Sequence, residues 1–336
     1  MPKAKNPRHG SMQVWPRKRA SRRYARVRNY NTKLDGMLAF AGYKMGMTHV
    51  MAFDSYKNSV TKNETISLPA TIIECPPMRV FSVRAYTHDA YGYKVAKEII
   101  VVGKDKHIAR KTKTPKSPVT PTAELLDSSF ANLDSYDDIT IIAMTQPSMT
   151  GIGQKKPQVF EMEVGGKTSA DKMAFIKTII GRDIKASEFL KVGEYLDFHA
   201  ITTGKGYQGP VKRFGIGLKP HKSEKGRRAP GVIAGGWSAQ QHTMYRVAHA
   251  GQMGYHQRVQ YNNQILKISD KPEDVNPKGG FIHYGVGHAG NEFIVVKGSV
   301  PGTKKRMITM VRAIRLKQNI PAPAVELVVQ ESQQGK

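Results

Sequence analysis

The sequence predicts a mainly β protein. It should be an antiparallel barrel or sandwich, discontinuous along the chain, with a small α/β insertion and long basic extensions. Three observations carry this reading. Short apolar runs recur at hairpin-like spacing between turn residues, strand and helix patterns alternate in the middle third, and two stretches without apolar period hold most of the excess charge.

The elements follow in order. The first stretch contains Pro2, Pro7 and Pro16, and its apolar residues show neither a two-residue nor a 3.6-residue period. It is expected to be extended, and unfolded without a partner. From about Gly36 the pattern suits strands: Met37–Tyr43, His49–Phe53, Ala70–Cys75, Arg79–Tyr86 and Lys94–Val102, separated by turn residues such as Pro76-Pro77 and Gly92. Lys104–Pro121 is basic and rich in Pro and Thr, as a linker or exposed loop would be. Asp138–Met144 and Val159–Val164 read as strands. Ala170–Ile180 reads as a helix with Met173, Ile176 and Ile180 on one face, ended at Gly181. The strand pattern resumes at Glu194–Ile201, breaks for a Gly-rich stretch, and returns at Gln260–Ser269, Glu292–Lys297 and Met307–Arg315.

The charge narrows the function. The 336 residues carry 53 Lys+Arg against 26 Asp+Glu, a formal net charge of +27. Residues 1–34 hold 11 Lys/Arg and no acid, and residues 199–260 hold 10 Lys/Arg, five His and 11 Gly against the single acid Glu224. The span 120–198, with 12 acids and 8 bases, is ordinary by comparison. Like charges at such density repel unless a counter-charge is supplied, and a polyphosphate supplies it. No apolar run approaches the roughly 18 residues of a spanning helix, and no apolar segment follows the charged N-terminus, so neither a membrane protein nor a secreted precursor is expected. The single Cys75 allows no internal disulfide and no Cys-based zinc cluster. The sequon Asn63-Glu64-Thr65 is read as chance.

Catalytic and cofactor motifs fail on context. Gly204-Lys205-Gly206-Tyr207-Gln208-Gly209 matches a dinucleotide fingerprint, but Pro210 and Gly215-Ile216-Gly217 are expected to leave no helix whose N-terminus could hold a pyrophosphate. Gly285-Val286-Gly287-His288-Ala289-Gly290 opens onto a strand pattern. His242, His249 and His256 recur every seven residues, yet Gly251 and Gly254 interrupt any helix and no carboxylate is near to orient the rings. No cofactor, metal or catalytic residue is expected. What remains is cations interleaved with flat side chains. Trp15, Tyr24 and Tyr30 lie among the arginines of the first stretch, and Tyr207, Phe214, Trp237, Tyr245 and Tyr255 among the cations of the second. Lys and Arg neutralise phosphates while rings stack on unpaired bases, a mixture suited to folded RNA rather than to groove reading of DNA.

Four blocks then resemble a known family. Gly42-Tyr43-Lys44-Met45-Gly46-Met47-Thr48 is the first, and Gly204 through Gly209 with Pro210-Val211-Lys212-Arg213 the second. Ala250-Gly251-Gln252-Met253-Gly254-Tyr255-His256-Gln257-Arg258 is the third and Lys297-Gly298-Ser299-Val300-Pro301-Gly302 the last. In that order they look like the signatures of universal large-subunit ribosomal protein three, most like its archaeal form in length and in the inserted middle. The sequence departs from the family at Ser238-Ala239, where His-Pro is common, and at Val259, where Thr is usual.

The resemblance implies a translation-factor-type β-barrel with a basic N-terminal extension at 1–35 and barrel segments at 36–103, 192–202 and 258–316. It also implies an inserted α/β subdomain at 104–191, a Gly-rich rRNA-binding loop at 203–257 and a C-terminal tail at 317–336. The loop would reach towards the peptidyl-transferase centre with Trp237 at a finger tip and a basic thumb near His221, Lys222, Arg227 and Arg228. The residues expected on large-subunit (23S-type) rRNA are Arg17, Lys18, Arg19, Arg22, Arg23, Arg26, Arg28, Lys205, Lys212, Arg213, Lys219, His221, Lys222, Arg227, Arg228, Trp237, His242, Arg246, His256 and Arg258. The expectation is a structural constituent of the cytoplasmic ribosome, bridging rRNA helices early in assembly beside neighbouring large-subunit proteins, with no small-molecule substrate. The alternative is an RNA-processing or RNA-modifying enzyme on a barrel scaffold, which would need a cofactor pocket or an acid/base pair.

Overall fold

The computed structural model describes residues 11–102, 105–113, 123–130, 132–222, 226–230, 247–318 and 320–333. The chain divides into two compact units, one of residues 1–22 with 201–257 and one of residues 23–200 with 258–336.

The larger unit is mainly β and holds two antiparallel sheets. In chain order its strands are β1 (Gly36–Met37), β2 (Ala39–Phe53), β3 (Thr65–Cys75), β4 (Arg79–Asp89), β5 (Gly92–Ile100), β6 (Asp138–Met144) and β7 (Val159–Gly165). They continue with β8 (Tyr195–Ile201) and β11 (Gln257–Ser269), each reaching one residue into the smaller unit, and end with β12 (Glu292–Lys297), β13 (Met307–Arg312) and β14 (Ala324–Val328). The smaller unit contributes β9 (Tyr207–Gln208) and β10 (Gly251–Gln252). One sheet runs β13-β8-β11-β12-β3-β2-β14, with β13 also pairing with β2. The other runs β1-β7-β6-β4-β5.

Strand positions follow the apolar runs, and the differences have local causes. From Ala39 on, the two runs expected at 37–43 and 49–53 are one 15-residue strand, β2, because Gly42 in the first and Gly46 between them both sit in the sheet. A Cβ at Gly46 would lie 2.3 Å from the Phe281 ring and one at Gly42 2.5 Å from Ile73 Cγ2, so close packing rather than a turn explains them. β4 and β5, grouped by sequence with 36–103, pair with each other and join the five-stranded sheet through β4 and β6. Pro76-Pro77 cannot donate to the β3 ladder, and there the chain passes from one sheet to the other. β14 lies inside the segment read as a tail. It pairs with the second half of β2 at the sheet edge, where Leu327 is 58% exposed, so its apolar pattern is weak. The helix α1 (Ala123–Ser129) was not anticipated.

The helix α2 (Ser169–Ile179) forms where its period placed it, capped by a reciprocal box in which Thr168 Oγ1 accepts from Asp171 N and the Asp171 carboxylate accepts from Thr168 N. Met173, Ile176 and Ile179 face the core, with Ile180 at its margin. The segment read as unfolded is tied down past residue 22. Ala25 and Tyr30 are buried in the larger unit's core, and Tyr24, Val27 and Leu34 pack against it.

Two signature blocks meet in this core. The Lys44 ammonium is buried and donates to Val300 O at 2.5 Å, so the first block is bonded to the fourth. Burial and the neighbouring Lys304 charge pull the Lys44 pKa below its usual value. Beside it, the fully buried Glu74 carboxylate accepts from Tyr284 Oη, from His288 N at 2.9 Å and from Asn291 Nδ2 at 2.7 Å, which fixes the 284–291 loop. These two blocks are therefore structural.

Candidate nucleic-acid interface

Among its described residues the smaller unit buries only one apolar side chain, Ile201. Its sequence holds 16 Lys/Arg and the single acid Glu224, so its cohesion has to come from polar contacts.

The two ends of the Gly-rich loop zip together as an antiparallel stem. Thr202 N donates to His256 O at 2.9 Å, Lys205 N to Met253 O at 2.9 Å and Met253 N to Gly206 O at 2.8 Å, after which β9 pairs with β10. Gly254 is required here. Its φ is +73°, and a Cβ would lie 2.0 Å from Thr203 O across the stem. The second and third signature blocks are thus the two sides of one stem.

A short helix, α3 (Pro210–Phe214), follows β9, with Gly209 at its N-cap, Pro210 in its first turn and Gly215 left-handed at its end. The expectation is of no helix whose N-terminus could hold a pyrophosphate, and the helix found there has only five residues. Five residues are too few for an apolar period, but the proline and glycine that bracket them are the signal. α3 aims Arg213 inward. Its guanidinium donates to Gln252 O at 3.0 Å, His249 O at 2.8 Å and Arg17 O at 3.3 Å, while Arg17 Nη1 donates to Arg213 O at 2.6 Å. The Arg17 guanidinium carbon stands 4.2 Å from the Phe214 ring centroid, and Trp15 meets that ring edge-on at 5.3 Å.

The N-terminal strap continues along the stem. His256 Nδ1 donates to Lys18 O at 2.7 Å, Ala20 N donates to Tyr255 O at 2.8 Å, and Arg19 lies over the Tyr255 ring at 5.2 Å. The basic thumb begins with a reciprocal pair: Lys219 N donates to Arg227 O, and Arg227 Nε to Lys219 O, both at 3.1 Å. Two stretches nearly two hundred residues apart in sequence therefore form one cationic body.

The expected contact residues fall into distinct groups. Lys18, Arg19, Arg22, Lys205, Lys212, His221, Lys222, Arg227 and Arg228 are exposed on this unit. Arg17, Arg213 and His256 hold the strap to the stem, and Lys219 is half-buried at the thumb. Arg23, Arg26 and Arg28 are exposed on the larger unit, where Arg258 is half-buried. Trp237, His242 and Arg246 lie outside the described residues. Sequence reasoning gave Trp15 and Phe214 to RNA bases, whereas here they pack on each other and on Arg17.

His249 and His256 lie on no helix. Among the described residues no group of three or more His, Cys, Asp or Glu is placed to hold a metal ion, and no helix is long and apolar enough to cross a membrane. What the unit presents is a row of exposed cations on a hydrogen-bonded frame, a surface suited to phosphates.

A family model described as ribosomal protein L3 matches residues 1–329. The large ribosomal subunit protein uL3 of Methanothermobacter thermautotrophicus is 41% identical over 337 residues, covering 98% of each chain. That of Methanosphaera stadtmanae is 41% identical over 338 residues, again 98% of each, and that of Methanococcoides burtonii 41% identical over 344 residues, the full length of both. With acid-free stem, strap and signature blocks all present, the chain belongs to the ribosomal protein L3 family.

Proposed function

We propose that the protein is a structural constituent of the large subunit of the cytoplasmic ribosome, seated on large-subunit rRNA among neighbouring ribosomal proteins and performing no catalysis. The observation that carries this is the smaller unit itself, in which two stretches holding a single acid between them are bound together by hydrogen bonds and turn their remaining cations outward. A body of this charge gains its counter-charge on a polyphosphate. With strap and loop bonded into one frame, cations from the N-terminal strap and from the loop can engage separate RNA helices, which is how the protein would bridge them early in assembly. The loop that carries Trp237 would reach towards the peptidyl-transferase centre.

The larger unit supplies the scaffold. We read β13, β8, β11, β12, β3 and β2 as a closed, translation-factor-type barrel, a reading supported by the additional pairing of β13 with β2. The five-stranded sheet and α2 are then the inserted subdomain. Sedimentation tests the function directly: the protein should travel with large subunits and stay with them through a high-salt wash. Release at moderate salt, or recovery only as free protein, would contradict it.

A further inference from the structure

The stretch 105–113 was read as part of a linker, yet the larger unit holds it down. Asp105 Oδ1 accepts from His107 N at 2.7 Å, and Ile108–Arg110 form a turn of 3-10 helix closed by Lys111 N and Thr112 N on Ile108 O at 2.7 and 3.0 Å. Ile108 is fully buried in a small cluster with Phe81, Ile142 and Met144, separate from the main core, on the five-stranded sheet. This anchor fixes four cations, Lys106, Arg110, Lys111 and Lys113, all exposed. Lys155 and Lys156, also exposed, stand just before β7, whose first residue Val159 borders the same cluster.

None of these six makes an ion pair among the described residues. Single exposed cations elsewhere in the unit, such as Lys57 and Lys278, also lack an ion pair among the described residues, but here four are gathered within eight residues on one anchored turn. The carboxylates by the patch are engaged: Asp105 accepts a turn amide, and Asp183 takes Arg79 and Gln146. A fold that dedicates a buried isoleucine to gathering four cations beside an acid already engaged by a turn amide is poised for an anionic partner. The patch has no Trp, Tyr or Phe with which to stack on a base, so the ligand chemistry is phosphate backbone rather than base edge.

We infer that this patch on the inserted sheet is a further RNA-backbone contact, independent of the smaller unit and resting on the rRNA-binding reading above. The test uses the full chain and a large-subunit rRNA transcript. The triple variant Lys106→Gln, Arg110→Gln, Lys111→Gln should melt like the parent and flatten the log–log salt slope of binding by about 2–3, at roughly 0.7–0.9 per lost contact. The charge-preserving pair Lys106→Arg, Lys111→Arg should bind like the parent. An unchanged slope in the triple variant, with a lower slope when exposed cations of the smaller unit are neutralised, overturns this inference and leaves the function standing. Unchanged slopes in both sets would overturn the function as well. A triple variant that binds the transcript normally but fails to enter subunits would assign the patch to a protein partner, against the inference.

Discussion

Arg213 is the joint on which the cationic body depends, so replacing it with alanine should loosen the strap and stem together. Its guanidinium serves three carbonyls, Gln252 O, His249 O and Arg17 O, at 3.0, 2.8 and 3.3 Å. Hydrogen bonds from charged donors contribute about 1.5–3 kcal/mol each when well made. The site is only half-buried and the third bond is long, so about 3 kcal/mol is the expected local loss. That is near a hundredfold in an opening equilibrium, at about 1.4 kcal/mol per tenfold. Native-state hydrogen exchange reads it at one amide. Ala20 N, bonded to Tyr255 O, should exchange about a hundredfold faster in Arg213→Ala, while amides of β2 and β3 keep their protection. Arg213→Lys should fall between, because an ammonium cannot serve three carbonyls in a planar fork. If Ala20 keeps its protection in Arg213→Ala, the strap is held by something other than this joint and the reasoning fails.

Three further outcomes follow from the larger unit. Burial pushes the His199 pKa down from its ordinary 6.5 to about 4. The unfolded chain then gains a proton that the native one refuses, so stability falls as pH drops from about 6.5 to about 4, by up to roughly 3 kcal/mol. Urea melts of parent and His199→Gln across that range should show the variant losing less. Glu74→Ala strands three donors in the core and should cost about 3–5 kcal/mol by denaturant titration, with Glu74→Gln milder because one acceptor oxygen remains. Gly46→Ala drives a methyl into the Phe281 ring and should cost about 1–3 kcal/mol, relieved in part by Phe281→Leu.

The sequence declared some parts of this molecule and hid others for physical reasons. Strands such as β6 and β12 were legible because burial on a sheet imposes apolar residues, and α2 because Met173 and Ile176 keep a helical period. β14 was hidden because an edge strand that leaves Leu327 exposed needs no clean alternation. The cationic body was legible in composition and illegible in architecture. Arg17 and Arg213 exchange bonds with each other's carbonyls across the length of the chain, and carbonyl acceptors leave no mark in a sequence. For the same reason the bonds that Arg213 and His256 make within the protein were not foreseen from sequence.

Neutralisation of rRNA phosphates by the exposed cations of the smaller unit should be read out in the salt dependence of binding. Lys18, Arg22, Lys205 and Lys212 are exposed there, and none of their side chains takes part in the bonds that hold strap to stem. Their joint replacement by glutamine should leave thermal stability unchanged and flatten the log–log slope of rRNA affinity against salt by about 3, at roughly 0.7–0.9 per contact. A slope equal to the parent's would mean that these cations face solvent, and the account of the unit as an RNA-binding body would be wrong.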